Sequence, residues 1–437
     1  MSVKVDYMRT DSYRSDEFWR FGGSFFYFGL ACFIESEVTE QLEGYYRVPY
    51  SMIHRANRVL DKIDAISFRN ETIQKNLKGE ALAFRAFAYW ELGWRFGGVP
   101  LILTAMETDD VLRVKRSAQS ETFAQVESDF IAAIQLLPES QTGTQAGRID
   151  KYAAMAMLGR VYLFQGKYQE ARNVLESVIH SGKYELETDY TNAFSEDHKN
   201  GIERVWEIQY LANTPGYGQS VTTSYLPDTY QLNALDLQSF AGSNLAHRVS
   251  EELMDAYEAG DLRKEISIVF DLPLNTGTTS EYAYIRKFHY AINKPAQNNY
   301  WGINIPIIRY ADVKLMYAEA LNQLGYIADG EAFEQLNDIR QRAGLSKLTG
   351  SDLPGKDAFQ QAIIRERRVE FAFEGIRWMD LIRWGIAMDV MNTFLADVKQ
   401  DGGANRMKPY NVLYPIPFRE INAYNNPDIM WQNPVAE

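Results

Sequence analysis

The sequence predicts a mostly α-helical fold of packed helical hairpins, interrupted by an irregular, partly β insert. Three observations predict it. Apolar residues recur at steps of three and four before residue 180 and again beyond Arg309. Gly159 and Ala171 stand where two helices of one hairpin must approach closely. Between Tyr184 and Pro306, short apolar runs alternate with Thr214-Pro215-Gly216, Asn275-Thr276-Gly277 and Asn298-Asn299, which are turn-forming.

The elements follow in chain order. From Ser51 to Ile66, Ile53, Ala56, Val59, Leu60 and Ile63 share one helical face. A longer helix from Glu71 to Phe96 carries Leu77, Ala81, Phe84, Ala88 and Leu92 on one stripe, and Gly97-Gly98 stops it. Ser120 is placed to cap a third helix, with Phe123, Val126, Phe130, Ile134 and Leu137 inward and Pro138 as terminator. Met155, Leu158-Gly159, Tyr162, Ala171 and Leu175 then reproduce the tetratricopeptide (TPR) spacing. Weaker echoes lie in Tyr89-x2-Leu92-Gly93-x2-Phe96 and in a hairpin from Arg309 to Ala343. The fold class is therefore a TPR-like hairpin scaffold of irregular repeats. Within the insert, Arg204 to Tyr210 alternates like a strand, and Glu251 to Ala259 forms a short helix. Near the C-terminus, Tyr414-Pro415-Ile416-Pro417 and Gln432-Asn433-Pro434 are expected to be extended.

Composition narrows the function. The 437 residues carry a net charge of −13, which disfavours phosphate backbones and anionic headgroups, so no nucleic-acid partner is expected. One cysteine and five scattered histidines provide neither a disulfide framework nor a zinc motif, and no metal site or cofactor is expected. Asp109-Asp110 and Glu196-Asp197 read as bare acidic surface. The uncharged stretch from Gly22 to Ile34 is shorter than the roughly 20 residues a spanning helix needs. Gly29-Leu30-Ala31-Cys32 loosely resembles a lipoprotein cleavage site, but Asp6, Asp11, Asp16 and Glu17 precede it where a signal would be positive. Cys32 therefore reads as a buried thiol.

Catalytic motifs are lacking: the sequence contains no nucleophile elbow, P-loop or dinucleotide fingerprint. In the charged block from Arg365 to Asp380, Arg367 with Glu370, Glu374 with Arg377, and Arg377 with Asp380 are expected to pair three residues apart on one helix. Glu370 and Glu374 could instead be an acid–base pair for glycoside hydrolysis. Four nearby arginines would hold both ionised, and a general acid needs a raised pKa, so the block is expected to be structural.

The aromatic surplus points to ligand binding. Nine of the 27 tyrosines lie from Tyr210 to Trp301, in the irregular region of the chain. Sugar rings present apolar C–H faces edged by hydroxyls; aromatic rings stack on the faces while polar side chains take the hydroxyls. Tyr282, Tyr284, Tyr290, Tyr300 and Trp301, with Gln297, Asn298 and Asn299 beside them, suit that chemistry. Tyr217, Tyr225 and Tyr230 form a weaker group. The alternative is that Tyr282 and Tyr284 are strand residues packed on a neighbour.

The ordered motifs resemble the SusD/RagB family of surface glycan-binding lipoproteins. The matching stretches are Gly79-Glu80-Ala81-x3-Arg85-Ala86-Phe87-Ala88-Tyr89 with Phe96-Gly97-Gly98-Val99-Pro100, and Arg309-Tyr310-Ala311-Asp312-Val313 with Ala318-Glu319-Ala320. Asn337-x2-Arg340-x-Arg342-Ala343-Gly344-Leu345, Glu366-Arg367-Arg368-x-Glu370-Phe371-x2-Glu374-Gly375-x-Arg377-Trp378, Tyr414-Pro415-Ile416-Pro417 and Gln432-Asn433-Pro434 complete the set, which spans residues 46 to 434. The resemblance implies one domain over 1–437, with a scaffold of four TPR-like pairs over 46–180 and 309–400. It also implies a ligand-binding insert over 184–306 and an extended C-terminal segment over 401–437. It adds Tyr45 as a candidate, near the family's N-terminal contribution to binding. It further implies an oligosaccharide ligand, no catalysis, a SusC-like TonB-dependent transporter partner, and attachment to the cell-surface side of the outer membrane through a lipid anchor absent from this chain. The short stretch before Tyr46 reads as a truncated N-terminal part. An α-helical glycoside hydrolase and an intracellular TPR peptide-binding scaffold are the alternatives.

Overall fold

The computed structural model describes residues 8, 10–20, 29–225, 247–271, 278–279, 281–290, 295, 297, 300–398 and 406–434. The chain packs as two compact units, one of Ile34–Val178 with Met407–Glu437, the other of Met1–Phe33 with Ile179–Arg406.

The first unit is built on helices α1 (Glu40–Ile63), α2 (Glu71–Phe96), α3 (Gln119–Leu136), α4 (Lys151–Phe164) and α5 (Tyr168–Ile179). Asn70 starts α2 by accepting the Thr72 N–H at 2.9 Å. From Gly79 onward α2 is buried on every side except at Phe84, which is 37% exposed. Packed against both α1 and α3, α2 is a central helix, so a one-face stripe does not describe it and the inward placement of Phe84 fails. Val59, also expected inward, is exposed on α1. The third helix begins one residue before Ser120: Ala118 is its boundary, and the Glu121 carboxylate accepts the Ala118 N–H at 2.7 Å.

The TPR hairpin forms as its spacing predicts. A Cβ on Gly159 would lie 2.5 Å from Leu175 Cδ2, so only glycine lets α4 meet α5 at this separation. The glycine stop after α2 has an added role. Arg116 donates to the carbonyls of Gly98 at 2.6 Å, Phe96 at 3.0 Å and Trp431 at 2.6 Å, tying that turn to the C-terminal segment. Asn433 donates to Phe96 O at 2.9 Å and Tyr414 O at 2.7 Å, closing the same clamp. Tyr414 to Pro417 is non-helical, and a short helix, Phe418–Tyr424, follows it.

Among the described residues, the second unit combines three two-stranded antiparallel sheets with helices. The strands are β1 (Phe18–Arg20), β2 (Arg204–Ile208), β3 (His247–Val249), β4 (Ile268–Val269), β5 (Tyr284–Ile285) and β6 (Ile305–Arg309), paired β1–β3, β2–β6 and β4–β5. Its longer helices are α6 (Tyr310–Leu324), α7 (Glu331–Arg342), α8 (Lys356–Glu370), α9 (Arg377–Arg383) and α10 (Ala387–Val398), and shorter ones span Glu251–Ala256 and Arg263–Ser267. Helix α6 packs on both α7 and α8.

The charged block is buried and ionic, but its pairing differs from the expected one. Helix α8 ends at Glu370, and the chain turns through Phe373 (φ 68°) and Gly375 (φ 71°) before α9 begins. Glu374 and Arg377 are therefore not successive turns of one helix, and the expected intrahelical pairs are replaced by distant ones. Glu370 accepts from Arg263 at 3.0 Å, Arg309 at 3.0 Å and Arg342 at 2.6 Å. Glu374 takes Lys287 at 2.7 Å and Arg309 at 2.8 Å. Arg367 pairs with Asp312 at 2.6 Å and Asp380 at 2.7 Å, and Arg377 with Asp16 at 2.8 Å.

Candidate functional site

Strand β1 supplies a residue the sequence reading did not single out. Along β1 and β3 the side chains alternate: Phe18, His247 and Val249 point inward, and Trp19 and Arg248 outward as direct cross-strand partners. The Val249 N–H donates to Ala283 O at 3.0 Å, bringing the 281–285 segment alongside β3 and Tyr282 next to Arg248. The Arg248 guanidinium lies 3.4 Å from the Tyr282 ring centre and 5.1 Å from that of Trp19. The two rings meet edge to face at 6.3 Å and 88°. All three residues are partly exposed. They form an aromatic surface with a cation set into it.

A buried aromatic layer supports this surface. Phe18 and His247 meet edge to face at 4.9 Å, Tyr225 packs on His247 at 5.7 Å, and the Tyr13 hydroxyl shares a 2.5 Å hydrogen bond with His247 Nε2. The strand is also fixed at its entry. Ser250 donates through Oγ to Asp16 O at 2.6 Å and through N–H to Glu17 O at 3.0 Å. Glu17 accepts the Phe373 N–H at 3.1 Å. Burial raises its pKa to about 7, even though that N–H favours the ionised form. Burial would raise Asp16 as well, but the charges of Arg377 and Arg368 outweigh it and hold Asp16 down to about 2.

The sequence-predicted ligand residues divide. Tyr282 joins Trp19 and Arg248. Tyr284 is fully buried in β5 opposite Val269, as the strand-packing alternative has it. Trp301 is 1% exposed, bridged to Gln219 by N–H donations of 3.0 and 3.2 Å in the two directions. Neither offers a face to a ligand, because both rings fill the interior. Tyr290 is half-buried and donates through its hydroxyl to Ile266 O at 2.9 Å. Tyr300 is partly exposed, and its carbonyl accepts from Asn213 in the loop that carries Tyr217, itself 64% exposed. Tyr225 is buried beneath the platform. Tyr45 belongs to the other unit and is 6% exposed within α1, so it too reads as core. Asn298, Asn299 and Tyr230 lie outside the described residues.

The other predicted chemistry resolves on the same geometry. Burial alone would raise the pKa of Glu370, but Arg342, Arg309 and Arg263 pull it far below the usual carboxylate range. A carboxylate so held keeps no proton to give a leaving group. Among the described residues no cluster of three or more His, Cys, Asp or Glu is arranged to hold a metal ion, and no helix is long and apolar enough to cross a membrane. Cys32 is buried.

The fold and its motifs are shared with known proteins. A model described as "SusD family" matches residues 271–435, and one described as "Starch-binding associating with outer membrane" matches residues 10–163. The SusD-like protein P38 of Formosa agariphila is 30% identical over 410 residues, covering 85% of this chain and 76% of its own. The chain belongs to the SusD/RagB family. Among solved structures, surface glycan-binding protein A from Bacteroides fluxus superposes with a TM-score of 0.84 at 25% identity, over 98% of this chain and 93% of that one. A laminarin-binding SusD-like protein superposes with a TM-score of 0.81 at 26% identity, over 99% and 97%. The likeness thus extends N-terminally past Tyr46 to include the segment that carries Trp19.

Proposed function

We propose that this SusD-family chain is a non-catalytic glycan-binding protein at the outer-membrane surface, which captures oligosaccharides for delivery to a TonB-dependent transporter. The observation that carries the reading is the Trp19–Arg248–Tyr282 surface. Two aromatic rings accept the C–H faces of a sugar, and the guanidinium between them donates to its hydroxyls. The relatives support the ligand class, and the laminarin-binding relative makes neutral β-glucan the first ligand to try. An exposed platform of this kind is expected to bind with about micromolar or weaker affinity, roughly −8 kcal/mol or less favourable. Arginine pairing at Glu370 and Glu374 supports a binding role over hydrolysis.

Affinity electrophoresis in gels containing laminarin or other polysaccharides tests this reading. Trp19→Ala and Tyr282→Ala should each weaken retention about 5- to 100-fold, the range for truncating an aromatic hot spot. Both residues are partly exposed, so thermal stability should change little. Trp301→Ala and Tyr284→Ala, by contrast, would report on folding. Retention unchanged in both platform variants would sink the site. Shorter products released from labelled oligosaccharides would replace the binding reading with an enzymatic one.

A further inference from the structure

A second cleft lies in the unit that carries the platform, where the 184–188 loop crosses the α6–α7 hairpin. It is open to solvent, has a volume of about 650 Å³ and is lined by Tyr184, Glu185, Glu187, Tyr310, Lys314 and Asp338, among others. That volume falls within the roughly 300–1,000 Å³ span of small-ligand sites. The Tyr184 and Tyr310 rings stand 6.1 Å apart and tilted by 32°, close enough to parallel to continue one another as an aromatic wall. Tyr184 is half-buried and Tyr310 is buried, which leaves the Tyr184 face as the accessible one.

The charges around this wall select the ligand. Lys314 is paired with Asp338 at 2.9 Å and donates to Gln335 at 2.6 Å, while Arg342 is bound to Glu203 at 2.9 Å and Glu370 at 2.6 Å. The two cations are thus committed to partners, and on the loop Glu187 already accepts from Asn192 at 3.4 Å, so exposed Glu185 is the acceptor that faces a ligand. Burial raises the pKa of the Tyr310 hydroxyl, and the negative charges of Asp338 and Glu185 raise it further, which keeps the phenol a neutral donor. Carboxylates beside an aromatic face accept sugar hydroxyls and repel uronates or sulfates.

We propose that this cleft is a second binding site for a neutral oligosaccharide segment, distinct from the Trp19–Tyr282 platform. The inference rests on the glycan-binding reading. A single long chain held at both places gains by effective concentration, whereas a short fragment gains nothing.

The test uses the full chain with laminarin as the polymer and laminarihexaose as the short ligand. Tyr184→Ala should weaken retention by laminarin about 3- to 10-fold. Glu185→Ala, at an exposed position with no folding role, should weaken it less and in the same direction. Both variants should bind laminarihexaose as the parent does at the platform. In a Trp19→Ala/Tyr282→Ala background, weak residual retention should persist and disappear on adding Tyr184→Ala. Laminarin retention unchanged by both cleft substitutions, with loss in the platform variants, would overturn the second site and leave the function standing. Parent protein retained by neither laminarin nor any other neutral polysaccharide would overturn both.

Discussion

Two regions of the second unit place arginine against aromatic rings, and burial gives them opposite roles. Arg309 is 1% exposed, with its guanidinium 5.0 Å from the Phe371 ring and 5.1 Å from that of Phe194. It is bound to Glu203, Glu370 and Glu374, so every face of the ion is occupied by protein. Arg248 is only partly buried, set between two rings that are themselves partly exposed. Both places set one arginine against two aromatic rings. The buried lattice holds strands and helices together, and the partly exposed stack is the one proposed to meet a ligand. A basic, aromatic-rich segment is therefore not a site until its burial is known.

The sharpest way to break this comparison is at Arg309. Replacement by alanine would leave Glu203, Glu370 and Glu374 short of a buried partner, and removing one member of such a network costs about 3–5 kcal/mol. Urea unfolding should show the free energy of unfolding lowered by that amount, with the midpoint shifted down accordingly. A loss below about 1 kcal/mol would mean that the lattice is as dispensable as a surface ion pair. The platform variants carry the opposite signature: large effects on retention and small ones on unfolding.

The same division explains what was legible in the sequence. Gly159 could be read because close helix approach tolerates one residue type, and Leu175 stands where a Cβ would go. The Phe96-Gly97-Gly98 and terminal Asn433 motifs were legible as a set, and Arg116 binds them together. Such motifs mark structural necessities. The platform left almost no signal. Its strands are three residues long, Trp19 and Arg248 become partners only through long-range pairing, and Tyr282 lies in a short non-helical run. Tyr284 and Trp301 misled because tyrosine enrichment does not reveal which ring faces inward. In the Arg365–Asp380 block the turn through Phe373 and Gly375 parts Glu374 from Arg377, while Arg367–Glu370 and Arg377–Asp380 each share a helix but lose to partners that spacing does not show: Asp312 and Asp380 take Arg367, and Asp16 takes Arg377.

A smaller effect is expected where the two regions meet, at Glu17, which stands between the Asp16–Arg377 pair and β1. Its folded pKa is about 7 against an ordinary 4.5, raised chiefly by burial. Between those values the unfolded chain releases the proton and the folded chain keeps it, so stability falls as pH rises through this window. At about 1.4 kcal/mol per pH unit, the loss accumulates to roughly 3 kcal/mol by neutral pH. His289, lowered by burial to about 4, contributes the opposite slope between 4 and 6.5. The comparison of parent with Glu17→Gln removes that shared contribution. Stability relative to the parent should move in the variant's favour by up to roughly 3 kcal/mol between pH 4.5 and 7, read by urea unfolding at each pH. Parallel profiles would show that Glu17 ionises in the folded protein as it does in the unfolded one.

The smallest effect, and the finest test of the platform, is expected from Tyr282→Phe. The ring stays over Arg248 and against Trp19, and only the hydroxyl is lost. If the surface works by stacking, affinity for laminarin should fall by less than about threefold, a fraction of the 1.4 kcal/mol that a tenfold change represents. Thermal stability should stay within about 0.5 kcal/mol of the parent, as for other surface substitutions. A loss as large as that of Tyr282→Ala would instead assign the binding energy to the phenolic hydroxyl. Glu281 already hydrogen-bonds that hydroxyl and raises its pKa, so the Glu281→Gln variant would then be expected to weaken binding too. The two substitutions together decide whether Tyr282 is a face for a sugar ring or a hydrogen-bonding group beside one.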